Sequence, residues 1–65
     1  MKSEELLKNI IGKSELEAIH LCADVGFTLR IQSIDGEQFM LTMDFRTNRV
    51  NVEIENGIII KSRIG

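Results

Sequence analysis

The residues best placed to do chemistry in this chain lie together in Leu41-Thr42-Met43-Asp44-Phe45-Arg46-Thr47-Asn48-Arg49-Val50-Asn51-Val52. Apolar and hydroxyl side chains lead into a Met-Asp peptide bond, and Arg46 and Arg49 follow. Guanidinium groups hold carboxylates through charge-assisted hydrogen bonds. Met43 is unbranched and polarizable, a side chain suited to an apolar pocket. The chemistry on offer is recognition. The groups that catalysis needs are thin elsewhere. His20 stands between Ile19 and Leu21 with no second histidine or paired carboxylate, so it reads as a surface or half-buried imidazole, not a ligand or base. Cys22 is the only cysteine, which excludes an internal disulfide. Its setting, Ala18-Ile19-His20-Leu21-Cys22-Ala23, is that of a small buried hydrophobe without the positive charge that activates a thiol. No nucleophile–base pair, Gly-rich phosphate loop or metal-ligand cluster accompanies them. The expectation is a protein that is not an enzyme and carries no cofactor or metal.

The composition bounds the partners. With 65 residues the chain makes one domain, 1–65, and a chain this short buries only about 60% of its unfolded surface. The hydrophobic share of 43% and charged share of 28% are those of a globular protein. A formal net charge of −2 supplies no basic surplus to displace counterions, which argues against nucleic acid or an acidic membrane. Met1-Lys2-Ser3-Glu4-Glu5 is acidic and lacks an apolar run, so no export signal is read and cytoplasm is the default compartment, with export of a mature fragment left open.

These residues need a frame. Ser14, with Glu17 three residues on, predicts a capping box opening a helix over about residues 15–25. Ala18, Leu21, Cys22 and Val25 recur at helical spacing on its apolar face, Leu16 and Ile19 widen that face, and Gly26 ends it. Glu4 to Ile11 reads as a short helical turn across the end of the core. After Gly26 the period becomes two: Phe27, Leu29 and Ile31 alternate with Thr28, Arg30 and Gln32 in a strand that Asp35-Gly36 ends. Val50, Val52 and Ile54 alternate in a second strand. Glu55-Asn56-Gly57 reads as a tight turn, and Ile58-Ile59-Ile60 begins an antiparallel return. Three consecutive isoleucines put at least one on an outer face, which leaves homo-oligomerisation through that edge open. The connection from first strand to second is long enough for a parallel pairing. The predicted class is α+β: a helix on a small mixed sheet, with an exposed loop over about residues 35–48. Most loops run about 4–6 residues, and long ones usually carry function.

The run Met43-Asp44-Phe45-Arg46-Thr47-Asn48-Arg49-Val50-Asn51-Val52 before a Gly-containing hairpin, with Gly12-Lys13-Ser14 opening the helix and the chain ending at Gly65, resembles the potato inhibitor I family of serine-protease inhibitors. It is most similar to that family's small bacterial relatives, and the likeness spans about Leu6 to Gly65. The resemblance implies a protease-binding loop of Leu41, Thr42, Met43, Asp44, Phe45 and Arg46. Met43 would set specificity, Met43–Asp44 would be the offered bond, and a subtilisin- or chymotrypsin-like enzyme the partner. It implies support from Arg49, and it places Asn51 where plant and leech inhibitors carry a second bracing arginine. Gly65 would be a further anchor for an arginine, through its carboxylate. A segment pre-set in extended form loses little ordering entropy on docking.

Two other readings stand beside this one. Phe39, Met40 and Met43 could fold back as a lid over the core, with Arg46 and Arg49 on a solvated strand face. Or the scaffold could be a cytoplasmic, non-inhibitory binding module, taking a protein partner or, as an oligomer, sequestering a small anionic or nucleotide-like ligand through Arg46 and Arg49.

Overall fold

The computed structural model describes residues 3–65. Met1 and Lys2, part of the acidic start read for an export signal, lie outside the described residues. The elements run α1 (Ser3–Ile10), α2 (Glu15–Asp24), β1 (Thr28–Ile34), β2 (Glu37–Gln38), β3 (Arg49–Glu55) and β4 (Ile58–Ile64). Two helices and a mixed four-stranded sheet make this a small α+β domain. The sheet order is β2-β1-β3-β4. β1 and β3 are parallel, and the β1–β2 and β3–β4 pairs are antiparallel.

α1 buries Leu6 and Ile10, four residues apart and therefore on one face. Acidic Glu4 and Glu5 sit in its first turn, where the helix dipole favours them. At the start of α2 the Glu17 backbone N–H donates to Ser14 Oγ at 3.3 Å. The reciprocal contact differs from the expected box: the Ser14 hydroxyl donates to Glu17 Oε1 at 3.2 Å. The helix closes on Val25, with Gly26 at φ +80°. Phe27 N–H donates to Cys22 O at 2.8 Å and Gly26 N–H to Ala23 O at 3.1 Å, the paired bonds of a Schellman cap.

The core lies between the helices and the central strand: Leu6, Ile10, Ala18, Cys22, Val50, Val52, Ile54 and Ile59. Leu21, Val25, Phe27, Leu29 and Ile31 pack around it, half-buried. One expectation needs correction. Leu16 and Ile19 do not widen the buried face of α2; they are 65% and 42% exposed, because α2 buries only the stripe through Ala18 and Cys22. Of the isoleucine triplet, Ile59 is buried and Ile58 and Ile60 lie outside. The backbone of Ile59 also pairs with Gly12 and Lys13, so the segment before α2 covers that part of the β4 edge.

The loop boundary shifts as well. Asp35-Gly36 does not open a long loop but turns the chain straight into β2. Both residues take positive φ, 49° and 85°, as do Asn56 and Gly57 at 52° and 77°. That is the mirror-image turn matching the twist of a two-residue hairpin. The two turns are fastened together: Asn56 N–H donates to Asp35 Oδ1 and Asp35 N–H to Ile54 O, each at 2.8 Å. Since β1 and β3 run in parallel toward this end, residues 39–48 carry the chain back to the other end. There Thr28 N–H donates to Asn48 O at 2.9 Å. None of the described helices is long and apolar enough to cross a membrane.

Candidate functional site

Residues 39–48 form a ridge, not a lid. Met40 and Met43 are fully exposed and Phe45 is 70% exposed; Leu41 is half-buried. Among the described residues the only non-glycine positive φ values fall on Asp35 and Asn56, so every ridge residue keeps a negative φ compatible with extended backbone. The lid alternative fails for Met40 and Met43, which point into solvent, while Phe39 is 42% exposed at the start of the ridge.

The ridge is held from below on both sides of Met43. Asp44 accepts from three donors: the Thr42 hydroxyl at Oδ1, Arg46 Nε at Oδ2 (3.0 Å) and Arg49 Nη1 at Oδ2 (3.4 Å). The hydroxyl contact first, and then the two guanidiniums, hold the Asp44 carboxyl well below the usual carboxylate range. That carboxylate is 42% exposed, so solvent screens its ion pairs and each counts for little as simple Coulomb attraction. The geometry matters more. Arg49, whose side chain is only 11% exposed, donates Nη2 to the Asp44 backbone oxygen at 2.9 Å and Nε to the Gly65 oxygen at 3.0 Å. Its planar fork thus clamps the ridge backbone to the end of β4. Gly65 O also accepts from Arg46 N–H at 3.4 Å.

Thr42, on the other flank of Met43, is held by a residue that sequence reading passed over. Arg30 of β1 donates Nη1 to Thr42 Oγ1 at 3.0 Å and Nε to Asn51 Oδ1 at 2.6 Å. Arg30 and Asn51 are register partners across the parallel β1–β3 pair, so both project from the sheet face opposite the helices. Asn51 does not brace the ridge itself; it orients the arginine that does. Arg30 was visible in the sequence as the polar member of an alternating strand, but only the register puts it beside Asn51. Thr42 and Asp44 are therefore both tethered, and the side chain between them is left pointing outward.

Leu41, Thr42, Met43, Asp44, Phe45 and Arg46 lie together on the ridge, and Arg49, Asn51 and Gly65 lie beneath it. His20 is exposed on α2, far in sequence from this network. Burial raises the pKa of the Cys22 thiol, keeping it in its neutral form. Among the described residues no group of three or more His, Cys, Asp or Glu side chains converges as a metal site. Fold and site together define a small α+β domain that displays a braced loop between parallel strands. No family model, curated protein or solved structure matches the chain.

Proposed function

We propose that this protein is a serine-protease inhibitor of the potato inhibitor I type, offering Met43–Asp44 to a subtilisin- or chymotrypsin-like enzyme. The observation that carries the reading is the alternation across the bond: Thr42 and Asp44 tied down, Met43 fully exposed between them. A protease reads an extended chain by pairing with its backbone and taking alternate side chains into pockets. An apolar pocket receives the methionine, and the bracing removes most of the freedom that docking would otherwise have to freeze. After attack, the same bracing keeps the new amine of Asp44 beside the acyl group, so resealing of the bond competes with hydrolysis.

The test is titration against a panel of subtilisin- and chymotrypsin-like proteases. Nanomolar inhibition that Met43→Lys abolishes supports the reading. Ordinary substrate cleavage of the ridge by every panel member refutes it. For the alternative, a cytoplasmic module sequestering an anion through Arg46 and Arg49, Arg49 is already committed to Asp44 and Gly65, whereas Arg46 spends only Nε on Asp44 and stays 63% exposed.

A further inference from the structure

The chain holds three methionines, and two of them, Met40 and Met43, stand fully exposed on the ridge. A thioether sulfur gives an electron pair to a peroxide oxygen and becomes a sulfoxide, provided the oxidant can reach it. Nothing in the fold shields either of these sulfurs. The remaining sulfur among the described residues is shielded twice. Cys22 is fully buried, and burial raises the pKa of its thiol, which keeps it out of the reactive thiolate form. The chain has no tryptophan or tyrosine. Two-electron oxidation of the described residues therefore falls on the ridge and spares the core.

A packed methionine and a presented one respond differently. In a core the sulfoxide disrupts packing, whereas Met43 is fully exposed, so the domain keeps its fold when that sulfur is oxidised. The change is felt by whatever takes the side chain. A sulfoxide oxygen is a hydrogen-bond acceptor, and an apolar pocket holds no donor for it, so burial there leaves it unsatisfied. The braces on either side do not involve the sulfur: Thr42 is held by Arg30 and Asp44 by Arg49. Oxidation thus alters the presented side chain and leaves the ridge that presents it in place.

We propose that Met43 is a reversible oxidation site that decides whether the ridge can hold its protease, a role that rests on the inhibitory reading. The oxidant is a peroxide. The sulfur attacks one peroxide oxygen, and the O–O bond breaks as the S–O bond forms. The departing hydroxide takes the proton of the transferred hydroxyl and leaves as water. Sulfur is oxidised by two electrons and the peroxide is reduced. Methionine sulfoxide reductases reverse the step: two thiols supply the electrons and become a disulfide, and the oxygen leaves as water.

The experiment treats the whole chain with hydrogen peroxide and follows peptide masses, circular dichroism and inhibition of the protease that the panel identifies. Met40 and Met43 are expected to gain one oxygen each at the rate of free N-acetylmethionine amide, while Cys22 stays reduced and the dichroism is unchanged. Inhibition weakens about 10- to 100-fold, the penalty of one unsatisfied buried acceptor, and returns on treatment with the reductases and a dithiol. Met40→Leu shows the same fall. Met43→Leu is compared only with itself, and its affinity is the same before and after peroxide. A fully oxidised Met43 that inhibits as before, or a fall that persists in Met43→Leu, overturns the assignment and leaves the inhibitory reading standing. So does a Met43 sulfur that reacts more slowly than Cys22. A chain that inhibits no panel member before peroxide is added brings down both.

Discussion

Arg30→Met is the perturbation that most directly tests the brace. The substitution keeps the aliphatic stem and removes two bonds, to Asn51 Oδ1 at 2.6 Å and to Thr42 Oγ1 at 3.0 Å. The Thr42 bond is exposed, and its loss costs little stability. The Asn51 bond is different, because Asn51 is buried and its Nδ2 is already unpartnered. Removing Arg30 strands the carbonyl as well, and an unsatisfied buried polar group costs about 1–3 kcal/mol. For a domain of this size each kcal/mol moves Tm by about 4–8 °C, so a cost near 2 kcal/mol lowers Tm by about 8–16 °C. Asn51→Leu in the Arg30→Met background removes the stranded group and recovers much of the loss, a non-additivity that a double-mutant cycle reads directly. Thermal and urea unfolding followed by circular dichroism supply the values. If Arg30→Met leaves Tm within about 1 °C of the parent, or the two substitutions simply add, the account of Asn51 as a buried relay is wrong.

Met43→Lys leaves unfolding free energy within about 0.5 kcal/mol, because the side chain touches little; a larger change in urea unfolding would show that Met43 packs on the protein. Asp44 carries a pH signature. Its folded pKa is depressed, so its contribution is complete above the unfolded value of about 3.9 and drains away as pH falls below it. The protection factors of the amides in residues 40–48, taken relative to intrinsic exchange at each pH, therefore hold steady down to about pH 4 and fall below it, and Asp44→Asn removes the step; a step that survives in Asp44→Asn refutes the assignment. Gly65→Ala puts a methyl 2.9 Å from Asn51 Nδ2, and the resulting shift loosens the Arg49–Gly65 contact; faster exchange in the ridge with α2 unchanged is the expected result. Ile10→Ala empties a fully buried position and costs about 2–5 kcal/mol in urea unfolding, enough to test whether α1 belongs to the cooperative core.

The helix boundaries of α2, the alternation of β3 and the Asn56-Gly57 turn could be read from local pattern, because capping, period and positive φ are properties of neighbouring residues. The ridge was legible for a similar reason: five apolar or aromatic side chains in a stretch with no period have nowhere local to go. The second hairpin was missed because two residues of β2 are too short to show a period, and Asp35-Gly36 ends a strand and turns one with the same residues. Leu16 and Ile19 misled because helical spacing marks a candidate face, whereas the width of the partner surface decides how much is covered. Arg30 stayed hidden for a deeper reason. Its role depends on the parallel register with β3, a relation between residues 21 positions apart that no local pattern encodes.

The ridge divides the hydrophobic interior evenly. Leu6, Ile10, Ala18 and Cys22 come before it, and Val50, Val52, Ile54 and Ile59 after it. A chain severed at Met43–Asp44 therefore becomes two peptides, each with half an interior and neither able to fold alone. They remain joined through the β1–β3 ladder and the clasp between Asp35 and Asn56. Separately made, residues 1–43 and 44–65 form a complementation pair whose reassembly can be followed by the return of secondary structure on mixing.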